Sequence, residues 1–244
     1  MSQRSGEAER PSANTVAAIT RIFPHASTFP CLVTTQTGEE WVMKLRGSGP
    51  GPMALLTEFL ALRVAASMGL TVPATQPLYL PSGFPWTIGT DEFDGIVQRS
   101  FGWNLGVRLV PDARPASAGE IDAAKPDFLD VLAQADRLLV NMDRSGANPN
   151  ILINPEGLVA IDFDACLFVR RAARGVVPTD YPLPPGHLLS GRPLSSPRPV
   201  DVEVMRQALV EAPPSWLVET GLQHQSLLDN LGDYVRAWNA QSPA

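Results

Sequence analysis

The chain has 244 residues, of which 44% are hydrophobic and 18% charged, enough to bury one large core or two smaller ones in a globular protein. A net charge of −6 with no basic run argues against direct nucleic-acid binding, and no apolar run approaches the roughly 18 residues of a membrane span. Cys31, Cys166 and three scattered histidines argue against a disulfide framework and a cysteine-based zinc site.

Residues 1–13 are polar and lack a signal-peptide apolar region, which predicts a disordered leader to a cytoplasmic domain. "PCLVTT" and "EWVMKL" flank "QTGE" and read as a hairpin with glycine in its turn. "GSGPGP" breaks the chain. From Met53 to Met68 the residues Leu55, Leu56, Phe59, Leu60, Leu62 and Val64 form the broad apolar face of a helix, with Gly69 at its C-terminal cap. "VPATQPLYLP" and "DGIVQRS" read as two further strands, which completes a small α+β lobe.

"SAGE" at Ser117–Glu120 fits a capping box. A helix is expected to start at Pro126, its apolar side made by Phe128, Leu129, Val131, Leu132, Ala135, Leu138 and Leu139. The proline-rich "VVPTDYPLPPGHLLSGRPLSSPRPV" can be neither long helix nor central strand, so it reads as a surface loop or flap. "VEVMRQALVEA", "PSWLVETG" and "LLDNLGDYVRAWNA" read as helices, making the second lobe mainly helical.

Between these helical regions lies "NMDRSGANPNILINPEGLVAIDFDA", Asn141–Ala165, where three aspartates and four asparagines surround the apolar runs "NILI" and "LVAI". A turn needs one such polar residue; this many beside buried strands calls for another reason. If the two runs pair as a hairpin around "NPEG", Asp162 returns close to the loop that holds Asp143 and Asn148. One carboxylate facing a hydroxyl, with an amide and a second carboxylate facing a metal, is the arrangement that phosphoryl transfer needs. Asn150 is expected to bond the local backbone, Asn141 to brace the loop, and Arg144 and Arg137 to pair with the acids or to be solvated.

Asp143-x4-Asn148 followed by Asp162 is similar to the protein-kinase catalytic loop and metal-binding aspartate. More specifically, "DRLLVNMDRSGANPNILI" with "LVAIDFDA" resembles the HipA-like kinase group. "WVMKLRGSGPGPMALLTEFLALRVAASMGLTVP" resembles it too, with a strand ending in lysine, a glycine-rich break and a helix with an early glutamate. The resemblance covers roughly residues 25 to 190.

That resemblance implies a two-lobed, protein-kinase-like α+β fold, with a nucleotide-binding lobe over 14–100 and a catalytic lobe over 101–244. It implies ATP and Mg2+ as cofactors, transfer to Ser or Thr of a protein substrate, and an antitoxin-like protein partner. Lys44 would contact the nucleotide phosphates, Glu58 would pair with Lys44, and Asp143 would orient and deprotonate the acceptor. Asn148 and Asp162 would hold magnesium. Ser27, Thr28 and Gln98 are further candidates for nucleotide contact, Ser27 and Thr28 because backbone amides of "HAST" could cradle phosphate where "FPHASTFPCLV" has no glycine. Two other readings stay open. "IDFDA" is also similar to small-molecule phosphotransferases related to aminoglycoside kinases. A degenerate kinase serving as a nucleotide-binding module would fit the missing glycine loop.

Overall fold

The computed structural model describes residues 13–24, 28–49, 51–87, 89–178, 182–193 and 197–241. The first half is built on an antiparallel five-stranded sheet of order β1-β2-β3-β5-β4. Its strands are β1 (Val16–Ile22), β2 (Cys31–Thr35), β3 (Glu40–Lys44), β4 (Thr75–Leu80) and β5 (Gly102–Arg108). Two helices, α1 (Pro52–Ser67) and α2 (Asp91–Gln98), separate β3 from β4 and β4 from β5. The resulting register pairs Lys44 with Leu105.

The expected strand at "DGIVQRS" is instead the end of α2. Thr90 caps this helix by accepting a hydrogen bond from the Phe93 amide at 3.3 Å, and Asp91, Glu92 and Asp94 lie in its first turn. Both features favour a helix start. Phe93, Ile96 and Val97 are its buried residues, a helical spacing of three and four rather than the alternation of a strand. The strand role passes to β5, which had not been expected, nor had β1. Gly47 fixes how α2 sits: a Cβ there would lie 2.6 Å from the Ile96 carbonyl and 2.7 Å from Arg99 Cβ, so the end of α2 presses directly on the loop after Lys44.

The second half is mainly helical, and together the halves make an α+β fold. It contains β6 (Arg114–Pro115), α3 (Ala118–Asp122), α4 (Pro126–Leu139), β7 (Ile151–Asn154), β8 (Gly157–Ala160), α5 (Phe168–Ala172), α6 (Val202–Glu211), α7 (Pro214–Thr220) and α8 (His224–Asn239). Strands β6, β7 and β8 form one small antiparallel sheet. The capping box at Ser117 and Glu120 is present. The hairpin turn closes on Asn154 Oδ1, which accepts from the Glu156 and Gly157 amides at 3.0 and 3.1 Å.

α1 is buried on nearly every side rather than along one face, because it serves two neighbours. It contacts β4 and β5 as well as α6 and α7, and Phe59 meets Trp216 edge to face at 5.9 Å. The larger hydrophobic cluster runs through α1, α4, α5 and the three C-terminal helices. A smaller one fills the space between the first sheet and α2. The described part of the proline-rich stretch wraps the surface: the Arg198 amide donates to Gln134 on α4, and the Val200 amide to Asn239 on α8. Among the described residues no helix is long and apolar enough to cross a membrane.

Candidate active site

Strand periodicity aims Lys44 away from the small core. Trp41 and Met43 alternate into that core, so Val42 and Lys44 share the opposite face. The Ala160 amide donates to the Thr71 carbonyl at 2.9 Å, tying the end of β8 to the chain just past α1. Asp162 follows, in the left-handed region at φ 61°, a conformation that turns the chain sharply there.

These placements bring Lys44, Glu58 and Asp162 together, and Asp164 joins them. Lys44 Nζ lies 2.6 Å from Glu58 Oε2, 2.6 Å from Asp162 Oδ1 and 3.5 Å from Asp164 Oδ2. The Lys44–Glu58 contact is an ion pair, and Lys44 is the one partner that Glu58 Oε2 has among the described residues. One oxygen from each of the three carboxylates falls within 4.8 Å of the others. One ammonium faces three carboxylates, and the cluster is short of positive charge.

The titration behaviour follows from that shortage. Burial pushes the Glu58 carboxyl up to about 7; Lys44 opposes this, while Asp162 and Asp164 reinforce it. Burial also raises Asp164, with further contributions from the charges of Asp162 and Asp143 against the opposing pull of Lys44. For Lys44 burial works against the ammonium, but the three carboxylates outweigh it and raise its pKa above the ordinary lysine value. The most buried carboxyl, Glu58, is thus the one most ready to keep a proton.

Asp143 and Asn148 form the second part of the site. Asn148 Nδ2 donates to Asp143 Oδ2 at 3.3 Å, and both residues are exposed. The turn between them is closed by the Ser145 amide on the Asn148 carbonyl at 3.0 Å and by the Asn148 amide on Ser145 Oγ at 3.1 Å. The influence of the Asp143 charge on Asp164 puts this turn within the field of the Lys44 cluster.

Under the turn lies a buried network that joins Asn141 and Arg144, expected to brace the loop and to pair with an acid, to Asp136 and His187, to which the sequence assigns no role. Asp136, Asn141, Arg144 and the His187 side chain are all inaccessible to solvent. Arg144 Nε donates to Asp136 Oδ2 at 2.7 Å, and its Nη1 donates to the carbonyls of Pro149 and Asn150 at 2.7 and 2.8 Å. Asn141 donates to Asp136 Oδ1 at 2.9 Å and accepts from the Asp143 amide at 3.2 Å, which is the bracing expected of it. The buried, hydrogen-bonded position of Arg144 excludes the solvated alternative. A signal for Asp136 was present: with Leu132, Ala135 and Leu139 it occupies one i, i+3, i+4, i+7 stripe, and those neighbours are buried, so a charged residue there needed a partner.

The other candidates are placed as follows. Asn150 does not bond the backbone through its side chain: its Nδ2 is buried with no hydrogen-bond partner among the described residues. Its main chain has the contacts instead, accepting from Arg144 and from the Ile161 amide at 3.0 Å. Thr28 is half-buried, and its Cγ2 would lie 3.1 Å from a Cβ on Gly49, so the β1–β2 connection approaches the glycine-rich loop after Lys44. Ser27 lies outside the described residues. Gln98 is exposed at the C-terminal end of α2. A surface cavity of about 520 Å³ lined by residues that include Arg63, Trp103, Glu211 and Pro213 contains none of these groups; its one carboxylate, Glu211, is paired with Arg63 at 2.8 Å, whereas the charge cluster gathers three carboxylates on one ammonium and so marks the site.

No family model matches the chain, and no curated protein matches it. Among solved structures it is similar to the Helicobacter pylori proinflammatory kinase CtkA, at 13% identity and a TM-score of 0.48, over 92% of this chain and 94% of that one. It is similar to a Chaetomium thermophilum Rio2 kinase solved as an ADP/Mg2+-phosphoaspartate complex, at 14% identity and a TM-score of 0.33, over 92% of this chain and 72% of the other. It is also similar to a golgi casein kinase, at 10% identity and a TM-score of 0.38, over 93% and 72%. All three are kinases, and all three lie below a TM-score of 0.5. The chemistry of the site has therefore to be read from its own side chains.

Proposed function

We propose that the chain is an ATP- and magnesium-dependent kinase that transfers the γ-phosphoryl group to a hydroxyl, on Ser or Thr of a protein. The observation that carries this is the charge shortage around Lys44. Three carboxylates within 4.8 Å of one another, one of them almost fully buried, share a single ammonium. Such a cluster is costly unless a cation or a proton completes it.

An all-oxygen donor set of this kind fits Mg2+; Asp162 belongs to it, and Asn148, whose amide oxygen is left over from its hydrogen bond to Asp143, would be the second residue to hold the metal. When bound, the metal would supply positive charge to offset that of the phosphate oxygens. The chain's own groups supply the rest. Lys44, aimed by Glu58, would hold phosphate oxygens through its ammonium. Asp143 would accept the acceptor's proton as the acceptor oxygen bonds to the γ-phosphorus and the bond from that phosphorus to the bridging oxygen breaks, ADP taking the electron pair as it leaves; Asn148, hydrogen-bonded to Asp143, would keep that carboxylate oriented.

The exposure of Asp143 supports a protein acceptor. Neighbouring Met142 is 40% exposed, so the approach to the carboxylate is open rather than a deep acidic pocket of the kind that suits a small polycation. The likeness of the Asn141–Ala165 stretch to HipA-like kinases supports the same class.

The test is incubation with γ-labelled ATP and Mg2+, alone and with cell lysate, beside calorimetry of Mg-ATP binding. Label on the protein itself or on one lysate band is expected, together with metal-dependent nucleotide binding that Asp162→Ala abolishes. No label with intact binding would make the chain a nucleotide-binding module. Mg-ATP binding by Asp162→Ala as tight as wild type would refute the metal assignment.

A further inference from the structure

The network under the catalytic turn reaches beyond it, into the proline-rich stretch. His187 Nδ1 accepts a hydrogen bond from the Leu189 amide at 3.1 Å. An accepting Nδ1 carries no proton, so the ring's hydrogen is on Nε2, which faces Asp136 Oδ2 at 3.4 Å in a polar contact outside hydrogen-bond geometry and has no other partner among the described residues. Two main-chain contacts hold this segment against the turn: the Leu188 amide donates to the Arg144 carbonyl at 2.9 Å, and Ser145 and His187 form an isolated bridge. Arg144 in turn lies 5.1 Å over the ring of Phe163, the residue between Asp162 and Asp164. One buried arginine thus touches both the turn that carries Asp143 and the segment that carries the two other aspartates.

We infer that His187 is a positioning residue for phosphoryl transfer. Through Asp136 it holds Arg144 and Asn141, and through them it sets Asp143 relative to Asp162. The effect on turnover rests on the kinase reading above; the effect on the turn's order does not. Asp136 has two oxygens and three callers. Asn141 and Arg144 Nη2 meet Oδ1, while Arg144 Nε and His187 Nε2 face Oδ2. Burial pushes this carboxyl up, but the Arg144 charge, the facing His187 Nε2–H and hydrogen bonds from Arg144 and Asn141 outweigh it and hold it below the usual aspartate range. Removing the His187 contact leaves a buried carboxylate with fewer donors and frees Arg144 and Asn141 to shift, each of which contacts the turn directly.

A merely structural histidine would matter through its other nitrogen, the one that anchors the Leu189 amide. Two variants separate these roles. His187→Asn carries an acceptor near the position of Nδ1 but is too short to reach Asp136. His187→Gln carries a donor near the position of Nε2. Amide exchange at Asp143, kcat and KM for Mg-ATP are measured for both, with thermal melts to establish folding. In His187→Asn, Asp143 amide exchange should rise and kcat should fall, each by about tenfold, as loss of one polar contact to a charged group implies. KM for Mg-ATP should stay unchanged, and His187→Gln should behave as wild type. Wild-type exchange in His187→Asn, or damage in Gln equal to or greater than that in Asn, overturns the positioning role. If wild type transfers no phosphate, the kinase reading fails, and exchange at Asp143 alone still decides whether His187 braces the turn.

Discussion

Two polar clusters meet near the Asn141–Ala165 stretch, and they solve the burial of charge in opposite ways. Around Asp136 everything is inaccessible to solvent, one carboxylate faces one guanidinium, Asn141 donates to the same carboxylate, and His187 Nε2 lies 3.4 Å from it. Around Lys44 one ammonium faces three carboxylates, the buried Glu58 shares that ammonium with Asp162 and Asp164, and Asp162 keeps about a third of its side chain exposed. A balanced, closed cluster has nothing left to bind and fixes geometry. An unbalanced, half-open one is completed from outside, which is what a site for a metal and an anionic phosphate chain needs.

The comparison breaks most visibly at its balanced side. Arg144→Leu strands a fully buried Asp136, and the expected loss is about 3–5 kcal/mol of folding stability, the usual effect of removing one partner of a buried pair. Chemical denaturation reads it directly. The double variant Asp136→Leu/Arg144→Leu should recover part of that loss, since no uncompensated charge remains. If both single and double variants melt as wild type, the network does not hold the turn.

The unbalanced side should respond in chemistry rather than stability. Asp143 is exposed, so Asp143→Asn preserves shape at little folding cost. Phosphoryl transfer should fall by about 10²-fold or more, as loss of a general base implies, with Mg-ATP affinity retained in calorimetry. Turnover equal to wild type would remove Asp143 from the base role.

Which parts were legible follows from the range of the forces involved. α4, the β7–β8 hairpin and the three C-terminal helices carry their periodicity or turn signals within a few residues, and these elements appear where expected. β5 does not show its role locally: glycines at 102 and 106 weaken its strand pattern, and Gly106 is needed because a Cβ there would lie 2.7 Å from Leu78. α2 was misread because Gly95, Ile96 and Val97 look like a strand when Thr90, its cap, is not taken into account. Lys44, Glu58 and Asp162 could be picked from their motif, since each sits at a recognisable strand end, helix turn or hairpin end. Asn141 and Arg144 were legible as a brace and an acid's partner, and Asp136 as a charge on a buried stripe, but His187 acquires meaning only when α4, the turn and the proline-rich stretch pack together.

The smallest expected effect is the most specific to the charge shortage. In the metal-free protein the Glu58 carboxyl titrates near 7, raised by burial from an ordinary 4.5. A carboxyl whose folded value lies above its unfolded value favours the folded state while protonated. Its contribution is fully present below about 4.5 and is lost as pH rises through about 7. Glu58→Gln removes that titration and keeps the side chain's size. Wild type should therefore lose stability relative to Glu58→Gln across this interval, by about 2–3 kcal/mol at its upper end. Asp136 has the opposite sign. Its folded value lies below the ordinary one, so its contribution is complete above 3.8 and falls only in stronger acid, outside the interval measured. Thermal melts of the two proteins between pH 4.5 and 8 test this without any assay of activity. Saturating Mg2+ should shrink the difference, because a cation held by the cluster supplies the charge that Lys44 alone cannot. Parallel melting curves across the whole interval would mean that the three carboxylates are already balanced, and the contrast between the clusters would then rest on exposure alone.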